Sequence, residues 1–397
     1  MILAQKNSQI LSNFMFTEIT NFIKTLYKNK NPIPLHEPIF LSNEINYIKE
    51  CIETTFVSYV GKFVSDFEDI TSKYVGSKYA VAVVNGTAAL QIALQIAGVK
   101  YGDEVLTQPL TFVATANAIS HCGAKPVFID VDIDTMGMSP EKLNEWLNSN
   151  TKYDKISKRY LNKSTNKPIS SIVPMHTFGF PCRIDEIIEI ANKYDIPVVE
   201  DSAESLGSFY KNKHTGTFGL AGIFSYNGNK TITTGGGGMI VTDNEALASR
   251  LKHLTTTAKT PHKWEYIHDE VGYNYRMPNI NAALGVAQME RFDTILKNKR
   301  ETAEFYKKFF DELNSEVSFF TEPENSKSNY WLNAILFNNI EERNKFLEYS
   351  NSNGVMTRPV WRLMHKLPMY NDCFRVDLGN SEWIEERVVN IPSGYRR

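Results

Sequence analysis

From about residue 75 to residue 255, short apolar runs alternate with longer segments of helical period, and this alternation restricts the fold more than any other feature. Ala80–Val84, Glu104–Leu106, Pro126–Asp130, Ser171–Met175, Pro197–Glu200, Ala221–Ser225 and Gly238–Val241 read as strands. Thr87–Ala97 and Ile184–Tyr194 read as helices between them. Several runs are continuous in Val and Ile, as in strands covered on both faces. The pattern predicts an α/β fold with a mostly parallel central sheet and helices on both faces. The ligand of such a sheet sits beyond the carboxyl ends of its strands. After residue 255 the alternation fades. A large α/β domain over 35–255 and a smaller C-terminal α+β domain over 256–397 are therefore expected. Residues 1–34 differ again: Ile10, Phe14, Ile19, Phe22, Ile23 and Leu26 recur at helical spacing before Asn31-Pro32-Ile33-Pro34 ends the pattern. That segment is expected to be an amphipathic arm, packed on the body or on a neighbouring subunit.

Charge and cysteine usage remove several functional classes. Forty-three basic residues against forty-five acidic ones leave a net charge of -2, with no excess of positive charge to attract nucleic acid or an anionic membrane. No apolar run approaches the length of a membrane span, and the N-terminus lacks a secretion signal pattern. Cys51, Cys122, Cys182 and Cys373 lie far apart without a CxxC pair. This argues against a zinc site, an iron–sulfur cluster or a disulfide framework and fits a reducing cytoplasm. A cytoplasmic enzyme without a resident metal is expected.

The strand ends hold the candidate chemistry. Val84-Asn85-Gly86-Thr87 leads into the first helix, where Gly86 permits a tight turn. The free N–H groups there, with the Thr87 hydroxyl, make an anion site. Taken alone, it reads first as an ordinary N-cap. No GxxxxGK[ST] occurs, and no GxGxxG follows a strand, which counts against a nucleoside triphosphatase and a nicotinamide oxidoreductase. Ile196-Pro197-Val198-Val199 runs straight into Glu200-Asp201, placing Asp201 at the sheet's carboxyl edge. A carboxylate there needs a cation or several donors, or else serves as a helix cap. Lys230 lies between a strand end and the glycines Gly235–Gly238, with Ser225 five residues before it. Alone it would be a solvated loop lysine. Together, a phosphate cradle, an acid at a strand end and a lysine after a later strand are the parts pyridoxal phosphate (PLP) needs: a Schiff-base lysine, a partner for the pyridine nitrogen and a holder for the phosphate.

NGTAALQIAL, TFVATANAI, PVFIDVD, EDSAESLGS, FSYNGNKTITTGGGG and GYNYRMPNINAALG resemble the DegT/DnrJ/EryC1/StrS sugar aminotransferases, which have the aspartate-aminotransferase-like fold (PLP fold type I). The resemblance runs from about residue 33 to the end. PLHEPIF, PMHTFGFPCRIDEI, HLTTTAK and MTRPVWRLMHKLPM look most similar to LegC-type enzymes. Those enzymes aminate a nucleotide-linked 4-keto-6-deoxy sugar on the way to nonulosonic acids such as legionaminic acid. By position the resemblance implies Lys230 as the Schiff-base lysine and proton carrier and Asp201 as the partner of the pyridinium nitrogen. It implies Phe112 stacked on the ring and Gly86, Thr87 and Ser225 on the phosphate. Asn274 would reach the phosphate from the other subunit of a homodimer. Glu204 stands where many relatives have Gln or His, either touching the sugar or belonging to a proton relay. Arg276 would assist substrate phosphates. His176 would line the pocket or be a satisfied structural histidine. Arg358, Trp361, Arg362 and His365 would face the substrate. Glutamate is the implied amino donor, leaving as 2-oxoglutarate. A PLP-dependent dehydratase, which has histidine at the lysine position, and a silent PLP-binding regulator are the competing readings.

Overall fold

The computed structural model describes residues 2–313 and 315–397, with side chains from residue 14 onward. Seven strands carry the site: β1 (Tyr79–Val83), β2 (Glu104–Thr107), β3 (Lys125–Phe128), β4 (Ile169–Val173), β5 (Val199–Asp201), β6 (Ala221–Ser225) and β7 (Gly238–Thr242). Their spatial order is β3-β2-β4-β5-β6-β7-β1. Two ladders, β3-β2-β4 and β5-β6-β7-β1, are joined by parallel bridges at Ile172–Val198 and Met175–Asp201. Six strands run the same way, and β7 is antiparallel to both neighbours. The sheet is therefore mostly parallel, as expected, with one reversed strand.

The helices on the sheet are α2 (Glu44–Glu53), α3 (Lys62–Val75), α4 (Gly86–Ile96), α5 (Val113–His121), α6 (Pro140–Asn150), α7 (Ile184–Lys193), α8 (Glu245–Thr255) and α9 (Asn279–Met289); α1 (Ile2–Leu26) precedes them. Strand alternation in β1 divides the two faces. Val81 and Val83 pack with Leu90 and Ile92 of α4 and Leu251 of α8. Ala80 and Ala82 face a second core with Phe67 of α3 and Ala282 and Val286 of α9. The approach of α9 is close: a Cβ on Gly285 would lie 2.8 Å from the Phe67 ring.

This packing departs from the boundary expected at 255/256. Met277, Ala282 and Met289 share a core with Phe63, Phe67 and Phe224, so the core continues past residue 256. α10 (Phe292–Glu312) then spans two cores: Phe292, Ile295 and Leu296 lie in the first, and Tyr306 and Phe310 in another. We propose that the division between large and small domains falls within α10. Beyond it, β8 (Ser318–Phe319), β9 (Asn333–Leu336), β10 (Arg358–Pro359) and β11 (Val388–Ile391) form an antiparallel sheet in the order β8-β9-β11-β10.

α1 packs on this C-terminal sheet region. Phe16, Ile19 and Ile23 are buried among Tyr306, Phe310, Phe337 and Phe346. Burial of each contributes about 1.5–3 kcal/mol. The Phe22 and Phe309 rings stack at 4.0 Å. One expected face residue differs: Phe14 is 66% exposed, and Phe16 takes its place because it keeps the i, i+3, i+7 phase with Ile19 and Ile23. Ile10 lies outside the described side chains. Among the described residues, no helix is long and apolar enough to cross a membrane.

Candidate active site

The carboxyl ends of β1, β2, β4, β5 and β6 and the entry to β7 open on one cavity of about 320 Å³. Its floor at one corner is the start of α4. Asn85, in extended backbone, caps that helix by accepting the Ala88 N–H at 2.8 Å. The N–H groups of Gly86 and Thr87 belong to the first turn, which lacks intrahelical acceptors, and both residues line the cavity beside Ser225. Two glycines make the corner possible. A Cβ on Gly86 would stand 3.1 Å from Ser225 Cβ, and one on Gly238 would meet the Asn85 carbonyl at 2.5 Å. Donors at a helix N-terminus in so tight a corner favour a compact anion such as a phosphate.

Across the cavity, Asp201 ends β5 and is 2% exposed. Thr115 of α5 donates its hydroxyl to Oδ2 at 2.6 Å, and the Ala203 N–H donates to Oδ1 at 3.1 Å. Burial pushes the Asp201 carboxyl above its usual range, opposed by these donors and by the positive charge of Lys230. An additional cationic donor would favour the ionised form.

Lys230, in the turn after β6, directs Nζ to Glu204 Oε1 at 3.1 Å and lies over the Trp331 ring, 4.0 Å from its centroid. Glu204 Oε2 accepts the Phe178 N–H at 2.9 Å. Phe178 has φ 56°, ψ 13°, a left-handed backbone that costs a bulky residue about 1–3 kcal/mol. Burial raises the Glu204 carboxyl to about 7, against the pull of Lys230 and the Phe178 N–H. Phe112 and Trp361 form an aromatic wall, with ring centroids 6.2 Å apart.

Gly86, Thr87, Phe112, Asp201, Glu204, Ser225, Lys230 and Trp361 are thus brought to one cavity. Other expected residues are placed elsewhere. Asn274 is exposed and does not line its own chain's cavity. Arg276 departs from the expected role on substrate phosphates: its guanidinium donates to Glu68 at 2.7 Å and its side chain is 9% exposed. His176 is also turned away from the cavity. It is fully buried, with Nε2 3.1 Å from Glu200 and Nδ1 accepting the Cys182 N–H, which is the structural alternative. Arg358 is exposed and bonds to Asn351 and the Thr357 carbonyl, so it too lies off the cavity. Arg362 is exposed, and His365 packs near Phe128 and Glu382. Asn85 and Trp331 were not anticipated. An Asn before Gly-Thr at a helix start was a readable N-cap signal; nothing near Trp331 in sequence marks it.

The residues fit PLP. A glycine-lined helix start offers donors for its phosphate, a buried carboxylate has no cation in hydrogen-bond contact among the described residues, and a lysine amine lines the same cavity.

Residues 39–396 match the DegT/DnrJ/EryC1/StrS aminotransferase family. GDP-perosamine synthase of Escherichia coli O157:H7 is 37% identical over 366 residues, covering 91% of this chain and 93% of that protein. The putative pyridoxal phosphate-dependent aminotransferase EpsN of Bacillus subtilis strain 168 is 36% identical over 370 residues, covering 91% and 92%. Among solved structures, a DegT DnrJ EryC1 StrS aminotransferase from Brucella abortus superposes with a TM-score of 0.78 at 25% identity, covering 88% of this chain and 90% of that one. Helicobacter pylori PseC, an aminotransferase of pseudoaminic acid biosynthesis, shares the fold with a TM-score of 0.82 at 23% identity, covering 91% and 94%. The chain therefore belongs to the DegT/DnrJ/EryC1/StrS aminotransferase family, and it is a PLP-dependent sugar aminotransferase of fold type I.

Proposed function

We propose that the protein moves the amino group of glutamate to C4 of a nucleotide-linked 4-keto-6-deoxy sugar, releasing 2-oxoglutarate. The sugar in this reading is a UDP-linked 2-acetamido-2,6-dideoxy-hexos-4-ulose, aminated for a bacterial surface glycan or a nonulosonic acid such as legionaminic acid. The observation that carries it is the convergence of Lys230, Asp201 and the start of α4 on a single cavity. PLP supplies the electron sink that stabilises negative charge at the carbon exchanging its amine. Asp201 keeps the pyridine nitrogen protonated, and Thr115 and the Ala203 N–H hold the carboxylate in line. Gly86, Thr87 and Ser225 bind the phosphate. Phe112 would offer a ring face to the cofactor. Lys230 Nζ would hold the cofactor and would serve as the group that moves a proton at the substrate carbon. Glu204, at 3.1 Å, would orient that amine, and its buried carboxyl, raised to about 7, suits a role in proton transfer. Binding energy from the distant nucleotide positions the sugar carbonyl.

The same reading includes a homodimer in the cytoplasm with shared active sites. Asn274, exposed on its own chain, reaches the partner's phosphate corner. Exposed Phe56, Val57, Tyr59 and Val60, with Trp264 and Tyr266, offer a second copy an apolar surface. Four buried free cysteines suit a reducing compartment.

A GDP-linked 4-keto-6-deoxy sugar is the second reading, supported by relatives named GDP-perosamine synthase. Purified protein given PLP, glutamate and each ketosugar separately, without NAD(P)H, decides between them by the 2-oxoglutarate released. Lys230→Ala is expected to abolish that release while leaving the circular dichroism spectrum unchanged. Undiminished release would overturn the assignment of Lys230.

A further inference from the structure

Among the described residues the amine of Lys230 makes one hydrogen bond to a carboxylate and one contact with a ring face. Glu204 Oε1 lies 3.1 Å from Nζ, and the Trp331 ring centroid lies 4.0 Å away. Trp331 is 4% exposed, and three hydrogen bonds fix it. Its indole N–H donates to the Asn229 carbonyl at 2.7 Å, one residue from the lysine itself. Its backbone N–H donates to Asn329 Oδ1 at 2.8 Å, and its carbonyl accepts from Lys299 Nζ at 3.1 Å.

Asn329 joins both neighbours of the lysine. It is fully buried, and its Nδ2 donates to the carbonyls of Glu204 and Leu206, each at 2.8 Å. The distance between the Glu204 loop and the indole is thereby set by one amide side chain. A glycine is needed beside it, because a Cβ on Gly179 would fall 1.9 Å from Asn329 Oδ1. The tie is made by a residue of the segment before β9, close to a hundred positions from Lys230 in sequence.

We propose that Trp331 is a further residue of the reaction centre, its ring face favouring the cationic form of the Lys230 nitrogen and holding it against Glu204, with Asn329 as the residue that positions the indole. The proposal rests on the assignment of Lys230 made above. An indole suits this work because its π face attracts a cation without itself titrating, so it leaves Glu204 free to exchange a proton. Its bulk also keeps water from the amine, which strengthens both contacts. The other titratable or charged groups around Lys230 are Glu204, Asp201 and His36, with Lys299 behind the indole. A change at Trp331 leaves all four in the chain.

The test is a pH titration of the visible absorption band of the PLP-loaded protein, which reports protonation of the nitrogen joining Lys230 to the cofactor. Trp331→Leu is expected to lower the midpoint by about 0.5 to 1.5 pH units, the range of a desolvated cation–π contact. Trp331→Phe, which keeps a π face, should fall between the two. The rate at which glutamate bleaches the band should drop in the same order. Should Trp331→Leu fail to fold, Trp331→Phe and Asn329→Ala decide. The latter removes the tie between Trp331 and the Glu204 loop without adding a charge, and it is expected to shift the midpoint downward as well. Midpoints unmoved from wild type in the folded variants overturn the proposal. A wild-type protein with no visible band overturns the Lys230 assignment instead, so the two failures are distinct.

Discussion

Glu204→Gln separates the electrostatic cost of a buried carboxylate from the packing of the site. Glu204 is 2% exposed, and burial raises its carboxyl from 4.5 to about 7 despite the attraction of Lys230. The folded-state value lies above the unfolded one, so the unfolded chain ionises first. Wild-type stability therefore falls as pH rises through this window and levels off above it. With about 1.36 kcal/mol per pH unit, the full cost is about 3 kcal/mol, of which less than about 1 is already present at pH 5. The amide does not titrate. The stability of the variant relative to wild type should then rise by about 2–3 kcal/mol from pH 5 to pH 8, while pair terms that do not depend on pH cancel. For 397 residues at roughly 2.1 cal/mol/K each, that is about 3 °C in Tm. Scanning calorimetry of wild type and variant, both stripped of PLP, at pH 5, 6, 7 and 8 measures it. A Tm difference that stays constant refutes the reasoning. A difference that narrows with pH would mean that Lys230 outweighs burial and holds the carboxyl low.

Two further changes test the supports of the site. Thr115→Val removes the 2.6 Å donor to Asp201 Oδ2 and leaves the Ala203 N–H alone; the bond is present with or without PLP, so its loss, about 1–3 kcal/mol, should lower the urea midpoint of the cofactor-free protein. An unchanged midpoint would remove Thr115 from the support of Asp201. Gly238→Ala sets a Cβ 2.5 Å from the Asn85 backbone, which cannot yield as a side chain can; the urea midpoint should drop by the equivalent of more than about 2 kcal/mol, and an unchanged midpoint would refute the packing at the start of α4.

The sheet was readable because its strands are covered on both faces. Uninterrupted Val and Ile runs survive as a signal whatever the order of the strands, and each run lies within two residues of an observed strand. The reversal of β7 left no mark in its own composition. It follows from the connection: residues 226–237 carry Lys230 and the glycines but no helix, and a parallel return needs a crossover long enough to hold one. Asp201 and Lys230 stand out in the sequence because one ends a strand and the other follows one at the ligand edge, and both line the cavity there. Arg276 was misread for the opposite reason. Its partner, Glu68, lies far back on α3, and no local pattern shows that the guanidinium is already engaged. Trp331 and Asn329 were invisible on the same ground, since their contacts to Lys230 and Glu204 arise only when the segment before β9 folds over the cavity.

Three buried carboxylates at this edge show why donor supply, rather than burial alone, separates scaffold from chemistry. Glu200 accepts the N–H groups of Gly216, Phe218 and Gly219 and lies 3.1 Å from His176 Nε2, so its charge is fully met by the protein and it ties together the turn before β6. Glu204 has one N–H donor and Lys230. Among the described residues Asp201 has a hydroxyl and one N–H, with no cation in hydrogen-bond contact, and burial pushes its carboxyl upward. Neighbouring acids of the same strand therefore have opposite fates: the saturated one is held within the fold, and the under-supplied one keeps acceptor capacity for a cationic ring nitrogen. A carboxylate as well supplied as Glu200 at position 201 would have little to gain from PLP. The shortage of donors around Asp201 makes cofactor binding relieve an electrostatic strain that the fold leaves in place.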